Sequence, residues 1–321
     1  MISSSEFCPA TPAYSAGPVP DADPPAASSA GHRPLSPPFS PPAGYCYPVD
    51  FQDAADLAIQ LARDAGDFAV AEREEARIEA KGDGADFVTH VDRAVERRIA
   101  AAIATQYPDH SILGEEHGEQ GGELTEFRWL IDPLDGTNNY VLGLDIYGVC
   151  ITLCHHDIPV AAVVHDSPRR RTYWAVTGTG AWLSIDARPP QRLLLHGAEP
   201  LANTTVSLTQ GYAVGHNDAR RNTLFGALER QTKRVLRTWA PSVDWGLLAT
   251  GRLGAVIAYR NEPWDLVGGA LIATEAGARM YTDATGDLVI VGHPRTVDEL
   301  QVLLDGQRHH RSALAEAGKQ A

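Results

Sequence analysis

One stretch of twelve residues constrains the fold and chemistry of this chain more than any other, and residues 129–140 read Trp-Leu-Ile-Asp-Pro-Leu-Asp-Gly-Thr-Asn-Asn-Tyr. The three apolar residues at its beginning predict the end of a buried strand. Pro133 then separates Asp132 from Asp135. Because proline has no N–H and a fixed φ, we expect the chain to turn there rather than continue as a central strand. The glycine and threonine that follow predict the start of a helix.

This turn predicts a site that binds both a metal and a phosphate. Asp132 and Asp135 lie three residues apart, so their carboxylates can converge on one point. Exposed N–H groups at a helix start, here Gly136 and Thr137, can bind an anion. Because carboxylates repel phosphate, the two features fit together only with a hard cation between them, and oxygen ligands without His or Cys are typical of Mg²⁺, Mn²⁺ or Ca²⁺. Taken alone, Asp-Pro-x-Asp-Gly is also an ordinary acidic turn.

Charge and composition limit the classes of partner that this protein can bind. A formal net charge of −14 over 321 residues argues against a nucleic-acid polymer or an anionic membrane as partner. A small phosphorylated substrate stays compatible, because bound cations reverse the local sign of the charge. The sequence has no apolar run long enough to cross a bilayer. Its four cysteines form no C-x-x-C pair, and the expected compartment is the reducing cytoplasm.

Composition also divides the chain into four parts. Residues 1–45 are rich in Pro, Ala, Ser and Gly, so we expect a disordered tail there. Residues 46–195 are predicted to form an N-terminal α+β half that carries the metal site. Residues 196–306 are predicted to form an α/β half that completes the metal and substrate sites, and residues 307–321 a flexible tail.

Hydrophobic periodicity predicts helices and strands that alternate through the second half. The predicted helices begin near residues 51, 89, 222, 243 and 266. The predicted strands are 111–116, 149–153, 161–165, 172–176, 206–209, 235–238 and 255–259. The charged run 72–77 is interpreted as a solvated helix face, and the Lys-Gly-Asp-Gly-Ala segment from residue 81 as the end of that helix. Alternation of this kind implies layered α/β structure.

Three further motifs accompany the central stretch in a fixed order. They are Asp86-Phe-Val-Thr-His-Val-Asp92 with Glu96 downstream, then Gly114-Glu-Glu, and finally Glu262-Pro-Trp-Asp265 with Glu275-Ala-Gly277. Together with the central stretch they closely resemble the signature of the inositol monophosphatase family of metal-dependent phosphatases, over residues 50–305. One such motif can arise by chance, whereas four in order are specific. The resemblance implies an α/β fold of the layered αβαβα sandwich type.

The resemblance also implies a set of metal ligands and a reaction. The ligands carried over from the family are Glu115, Asp132, Asp135, Asp265 and the backbone carbonyl of Leu134. They would hold two or three Mg²⁺ ions, with Mn²⁺ as an alternative. Such ions clamp phosphate oxygens and lower the pKa of a bound water, which attacks phosphorus in line without a phospho-enzyme. The implied activity is hydrolysis of a small phosphomonoester of the inositol or sugar phosphate class.

Three residues receive catalytic roles through the same resemblance. Thr137, together with Glu115, is expected to position the attacking water, and Asp92 of the Thr89-x-x-Asp92 motif is expected to hold Thr137. Gly136 and Thr137 are the expected phosphate-binding residues. Thr89-x-x-Asp92 also fits a capping box at the start of a helix, and the two interpretations are compatible.

The half expected to select the substrate departs from the family pattern. Inositol-hydrolysing relatives usually carry Gly-Ser/Thr-Ala-Ala where this chain has Trp-Ala-Pro-Ser at 239–242, and they place an acid that bonds ring hydroxyls where this chain has Ala258. The candidate pocket residues are Trp239, Asp244, Ala258 and Arg260. Trp239 and Trp245 could stack on a flat ring, although tryptophans are more often part of a core. We therefore expect poor turnover of inositol 1-phosphate.

The sequence leaves the substrate open among inositol, sugar, histidinol and nucleoside phosphates. A hypothesis of another class is a catalytically silent relative that binds metal or phosphate as a regulatory module, but none of the expected ligands is missing from the chain. A structural Ca²⁺ protein would need the regular ligand spacing of an EF-hand loop, which this sequence lacks. A homodimer and inhibition by lithium are expected from the resemblance alone.

Overall fold

The computed structural model describes residues 50–81, 86–121, 125–186 and 188–304. The predicted tails, 1–45 and 307–321, lie outside the described residues. The helices are α1 Gln52–Glu72, α2 His90–Gln106, α3 Thr137–Val141, α4 Ala219–Gln231, α5 Pro241–Ala249, α6 Pro263–Glu275 and α7, residues 294–304. The strands are β1 Ile78–Lys81, β2 Asp86–Thr89, β3 Ser111–Gly114, β4 Gly118–Gln120, β5 Phe127–Asp135, β6 Gly148–His155, β7 Ile158–Asp166, β8 Arg171–Val176, β9 Gly180–Ile185, β10 Gln191–Leu193, β11 Thr205–Gln210, β12 Arg234–Leu236, β13 Ala255–Tyr259, β14 Arg279–Thr282 and β15 Leu288–Gly292.

The larger of two main sheets has eight strands in the order β10-β9-β8-β7-β6-β5-β3-β4. All neighbouring strands pair antiparallel except β3 and β5, which are parallel. Helices α1 and α2 cover one face of this sheet. Helix α1 achieves a close approach because its buried face consists of alanines and one glycine, Gly66. A Cβ atom on Gly66 would lie 2.5 Å from the buried ring of His165 on β7.

The smaller sheet has five strands in the order β12-β11-β13-β15-β14. Strands β12, β11 and β13 run parallel, and β14 and β15 are antiparallel to their neighbours. Helices α5 and α6 lie between the two sheets. Helix α6 is apolar on all sides, with every residue from Trp264 to Ala273 buried, as expected for a helix enclosed by two layers.

Strand β13 shows how the layers are assigned. Val256 and Ala258 belong to the core shared with α5 and α6, whereas Ile257 and Tyr259 belong to the core under α4 and α7. Side chains of a strand alternate between faces, so one strand serves both cores. The order of layers is therefore helices, large sheet, helices, small sheet, helices. This confirms the predicted layered αβαβα architecture.

The described strands and helices correct two local predictions. The run 72–77 is not one solvated helix face: α1 ends at Glu72, a 3₁₀ turn covers Arg73–Glu75, and β1 follows. Strand β1 exists because it pairs antiparallel with β2. Strand β5 also continues through Pro133 to Asp135, but its pairing with β6 shifts register between Asp132 and Asp135. Pro133 is tolerated because it lies in this irregular interval, where no ladder N–H is needed.

Two further observations concern the predictions made from composition. None of the helices in the described part of the chain is both long and apolar enough to cross a membrane. Cys150 and Cys154 are buried free thiols in β6. Burial raises the pKa of both thiols, so both are held as neutral packing groups.

Candidate metal centre

Three buried aspartates meet where β5 ends and α6 begins. The carboxylate oxygens of Asp132, Asp135 and Asp265, the acid trio, lie within 4.8 Å of one another. The exposed fractions of the three residues are 1, 5 and 7 %. The irregular end of β5 supplies two of them, and the first turn of α6, which has Pro263 at its start, supplies the third. The structure thus brings together aspartates from two motifs 130 residues apart in the chain.

Backbone and indole N–H groups fix the acid trio. Oδ1 of Asp132 accepts from the Leu134 amide at 3.0 Å, and Oδ2 of Asp135 accepts from the Ser242 amide at 2.5 Å. The indole Nε1 of Trp245 donates to the backbone carbonyl of Asp265 at 2.7 Å. These contacts hold the carboxylates of Asp132 and Asp135 and the backbone of Asp265 in place.

The charge of the acid trio is not balanced by any ion pair within the described residues. Burial, and then the charges of neighbouring carboxylates, raise the pKa values of Asp132 and Asp265 well above the usual range. Burial also raises the pKa of Asp135 to about 7, although the Ser242 hydrogen bonds oppose this shift. Oδ1 of Asp265 is buried without a hydrogen-bond partner in the described structure. A site that consists of carboxylate oxygens and lacks a counter-charge fits a hard divalent cation.

Glu115 lies beside the acid trio at the end of β3. Its charge raises the pKa values of all three aspartates and of Asp92. Glu115 Oε1 accepts a hydrogen bond from the hydroxyl of Tyr212 at 2.9 Å. The structure therefore places the Glu of the Gly-Glu-Glu motif in the electrostatic environment of the trio, at a position covered by a tyrosine from the second half.

Glu96 fixes the turn that carries Glu115. Its buried carboxylate accepts from the backbone amides of Glu116 and His117 at 2.7 and 2.9 Å, and it lies 2.9 Å from Nδ1 of the His117 ring. A Cβ atom on Gly114 would lie 2.2 Å from Glu96 Oε1, which explains the glycine at this place in the motif. The sequence placed Glu96 downstream of the first motif but did not predict these contacts, which join residues 20 and 21 positions apart.

Thr137 and Asp92 are in direct contact, as the resemblance implied. Thr137 Oγ1 lies 2.9 Å from Asp92 Oδ1 and 2.9 Å from the Leu134 carbonyl, so its single proton can be donated to either. Thr89 caps α2 in a full capping box in which Asp92 takes part. The capping box and the contact between Asp92 and Thr137 therefore coexist in the structure. Burial raises the pKa of Asp92 to about 6.

Gly136 occupies the N-cap position of α3 with φ +86°, a left-handed conformation that glycine adopts without strain. A Cβ atom at this residue would lie 2.8 Å from the Ile146 carbonyl oxygen and 2.9 Å from the Ala240 methyl. The glycine thus lets the chain turn from Asp135 into α3 while the 240–242 segment packs directly against it.

The four candidate pocket residues of the second half differ in their surroundings. Asp244 is buried, accepts from the Ser207 hydroxyl at 2.5 Å, and burial raises its pKa to about 7. Ala258 is also buried, within the core between the sheets. Their burial argues against direct contact with a ligand. Arg260 donates to Asp287 at 2.9 Å and lies 3.5 Å from Asp218, at the start of α4, so its charge is already paired. Arg260 and Trp239 are both exposed, and of the two only Trp239 is apolar.

Tyr212 was not predicted as a site residue. It directly follows Gly211 and is 97 residues from Glu115 in the chain, so no local pattern links the two. A second group of possible ligands among the described residues consists of Glu126, directly before β5, and His155 and His156 at the turn between β6 and β7. None of the sequence motifs indicated either Tyr212 or this second group.

The fold and the trio define a class: layered α/β proteins with a buried carboxylate centre between a strand end and a helix start. A sequence profile of the inositol monophosphatase family matches residues 50–321. The chain belongs to this family. Membership of the family supports the assignment of the protein as a metal-dependent phosphatase.

Individual relatives agree with this assignment. The chain is 35 % identical over 241 residues to the Nus factor SuhB of Pseudomonas aeruginosa, covering 73 % of this chain and 87 % of that protein. It is 32 % identical to the fructose-1,6-bisphosphatase/inositol-1-monophosphatase of Aquifex aeolicus, covering 70 and 79 %. Among solved structures, Mycobacterium tuberculosis SuhB matches with a TM-score of 0.68 and 31 % identity, over 79 % of this chain and 96 % of that one.

Proposed function

We propose that this protein is a Mg²⁺-dependent phosphomonoesterase that acts on a small phosphorylated metabolite. The observation that carries the proposal is the acid trio, which is buried, has raised pKa values and lacks a cationic partner among the described residues. Such a cluster is stabilised when divalent cations bind. Inositol and sugar phosphates form the proposed substrate class, and histidinol or nucleoside phosphates are alternatives on the same scaffold.

The proposed ligands are those implied by the resemblance. Glu115, the acid trio and the Leu134 carbonyl would hold two or three Mg²⁺ or Mn²⁺ ions. When bound, such ions neutralise phosphate charge and lower the pKa of water. In this proposal the Thr137 hydroxyl donates its hydrogen bond to Asp92 and not to the Leu134 carbonyl, which lies equally close at 2.9 Å. The Leu134 carbonyl is then free to bind a metal ion.

The chain's own residues supply the orientation of the reactants. Asp92 accepts a hydrogen bond from the Thr137 hydroxyl. The threonine oxygen therefore keeps a lone pair that can accept a hydrogen bond from the attacking water. Glu115 is proposed to accept the other proton of that water, and the Tyr212 hydroxyl holds its carboxylate in place. Gly136 and Thr137 are the proposed phosphate contacts. Water held between two acceptors in this way is oriented for in-line attack.

A second candidate function follows from the relatives. The Pseudomonas aeruginosa relative is named a Nus factor, whereas the Aquifex aeolicus relative is named for phosphatase activity. The alternative proposal is therefore that this protein acts as a factor of that kind, with or without catalysis. A partner associated with nucleic acid is compatible with this alternative. The intact ligand set favours the phosphatase.

A panel of phosphorylated metabolites tests the proposal. The wild-type protein and an Asp132→Asn variant are assayed for phosphate release with Mg²⁺ and with EDTA. We expect at least one phosphomonoester to be hydrolysed by the wild type with Mg²⁺ only, and none by the variant. Release that is equal in EDTA would refute the metal dependence, and no release from any ester would favour the factor role.

Three finer properties rest on the resemblance or on composition, and remain proposals. They are a homodimer, inhibition by lithium and a cytoplasmic location. Sedimentation at working concentration tests the first, because a monomer would remove it. A lithium titration of the Mg²⁺-dependent activity tests the second, and fractionation of the source cells tests the third.

A further inference from the structure

Two tryptophans near the acid trio have opposite surroundings. Trp245 is 1 % exposed and its indole N–H bonds the Asp265 backbone, so it is part of the core. Trp239 is 52 % exposed. Of the two residues that the sequence offered as ring-stacking candidates, only Trp239 presents its ring to solvent.

The backbone on both sides of Trp239 is anchored to the candidate metal centre. On one side, the Thr238 carbonyl accepts from the Asn139 side chain at 2.8 Å, and Asn139 lies two residues after Thr137. On the other side, the Ser242 amide donates to Asp135 at 2.5 Å. Trp239 is therefore carried by a short turn that is tied at each end to residues of the centre.

A guanidinium group holds the Trp239 ring. Arg237 Cζ lies 4.5 Å from the ring centroid, a cation–π distance, and Arg237 Nη2 donates to the Gln210 side chain at 2.9 Å. Gln210 lies two residues before Tyr212, whose hydroxyl contacts Glu115. One ring face is thus covered by Arg237, while the exposed fraction shows that much of the remaining ring surface faces solvent. The ring, the guanidinium and Tyr212 form a connected rim along the second half.

The backbone of Trp239 has φ +56°, in the left-handed region. A bulky residue rarely adopts this conformation, whereas glycine does so without strain. An exposed tryptophan gains little from core packing, so packing does not account for its presence in a strained turn. Strained residues concentrate at ligand sites, where the surrounding contacts hold them in place.

We infer that Trp239, held by Arg237, is a specificity-determining shelf that stacks on a flat, π-bearing ring in the alcohol part of the substrate. The shelf favours phosphate esters of ring-bearing alcohols of the nucleoside or imidazole type over saturated polyols such as inositol. This inference rests on the proposed phosphatase function and, within it, favours the histidinol and nucleoside phosphates named there as alternatives over the inositol and sugar phosphates.

The test compares two classes of ester at saturating Mg²⁺. A nucleoside monophosphate and histidinol phosphate carry a flat ring, and glycerol 2-phosphate and inositol 1-phosphate do not. We expect the wild type to prefer the better ring ester in kcat/KM by about tenfold or more, the size of effect expected for stacking on an aromatic side chain. Trp239→Gly should remove most of this preference, because kcat/KM should fall more for the ring esters than for glycerol 2-phosphate.

Trp239→Gly suits this test because glycine fits the left-handed backbone. The variant should have a Tm equal to or above that of the wild type, so a loss of preference is not explained by unfolding. Trp239→Phe retains a flat face and should keep most of the preference. Val302→Ala, on the exposed surface of α7, is the control and should change kcat/KM for neither class of ester.

The outcomes separate the inference from the proposed function. If wild type and Trp239→Gly show the same ratio of kcat/KM values, or if both ester classes fall together in the variant, the shelf does not exist while the phosphatase stands. If the wild type prefers a saturated polyol phosphate, the inferred substrate class is wrong. If no ester is hydrolysed with Mg²⁺, the proposed function fails and the inference fails with it.

Discussion

The protein contains two groups of aspartates with opposite electrostatic surroundings. The acid trio lies between the sheets without a cationic partner in the described structure, and its pKa values are raised. The outer group lies at the end of the small sheet, where Arg220 binds Asp283 and Asp287 and Arg260 binds Asp287. Burial acts to raise the pKa of Asp283, but its hydrogen bonds to Arg220, Leu288 and Thr285 lower it overall.

This difference shows how residues of one type acquire different roles. Aspartates with arginine partners are already stabilised in their charged form, so they support the fold at neutral pH. The buried aspartates of the trio have backbone N–H donors but no cationic partner in the described structure, so a bound proton or cation stabilises them further and they form a binding site. The following predictions test this contrast.

Asp132→Asn should have the largest effect. The family resemblance implies that Asp132 is the one carboxylate that would contact two ions, so we expect kcat/KM to fall roughly a thousandfold, which corresponds to several kcal/mol of lost transition-state stabilisation. In EDTA, Tm should stay the same or rise, because neutral asparagine relieves repulsion within the trio. Asp109→Asn, on an exposed turn, is the control. Near wild-type activity of Asp132→Asn at moderate Mg²⁺ would refute the two-ion role.

Arg220→Met should have the opposite pattern. It removes the guanidinium that pairs with buried Asp283, and we expect the free energy of unfolding to fall by about 2–3 kcal/mol, less than for a fully buried pair because Arg220 is 33 % exposed. Denaturant unfolding measures this change, and kcat/KM should stay within about twofold. Arg295→Met, which removes an exposed pair with Glu299, should cost less than about 1 kcal/mol. An equal cost for the two variants would show that the outer group is not structural.

The metal-free protein should lose stability as pH rises from 5.5 to 7.5. The pKa values of Asp135 and Asp244 are raised to about 7, so the folded state binds more protons than the unfolded state between about pH 4 and 7, and stability falls across that range. Buried His165 opposes this: burial lowers its pKa to about 4, so the stability it contributes is present above pH 6.5 and lost as pH falls towards 4.

Urea unfolding in EDTA measures the net effect, which we expect to be about 1–2 kcal/mol lower stability at pH 7.5 than at 5.5. The stabilisation by Mg²⁺ should be larger at pH 7.5, because fewer protons then compete for the carboxylates. Higher stability at pH 7.5 in EDTA would contradict the raised pKa values of the trio.

Tyr212→Phe should have the smallest effect. It removes the hydroxyl that donates to Glu115 at 2.9 Å, and because Tyr212 is 57 % exposed we expect only about 1 kcal/mol, or roughly fivefold in kcat/KM. The Mg²⁺ concentration for half activation should rise as well. Tyr281→Phe, on β14 of the smaller sheet, serves as the control. No change in either quantity would mean that Glu115 is held without the tyrosine.

Local features predicted that Asp132 and Asp135 would converge, whereas the family resemblance implied that Asp265 would join them. Asp132 and Asp135 depend on a strand end and a proline, and Asp265 depends on a helix that begins at Pro263. Such features are written in a few consecutive residues. Layered α/β structure and most helix positions followed from apolar periodicity, whereas the five-layer αβαβα order was implied by the family resemblance.

The outer group and the rim could not be predicted, because they depend on contacts distant in the sequence. Arg220 and Asp283 are 63 residues apart, and Tyr212 and Glu115 are 97 apart. Strand β1 was missed for a related reason: the charged run before it continues a helical pattern, and only pairing with β2 makes Ile78–Lys81 a strand. The opposite exposures of Trp239 and Trp245 likewise depend on which side of the turn each residue faces.

The central claim is that the acid trio, rather than any other group of the protein, binds divalent cations. Anomalous diffraction from crystals soaked in Mn²⁺ tests it directly, because Mn²⁺ substitutes for Mg²⁺ and its position is seen independently of activity. We predict an anomalous peak at coordination distance from Asp132, Asp135 and Asp265, and its loss in Asp132→Asn. No peak at the trio, or a peak only at Glu126, His155 and His156, would contradict the claim.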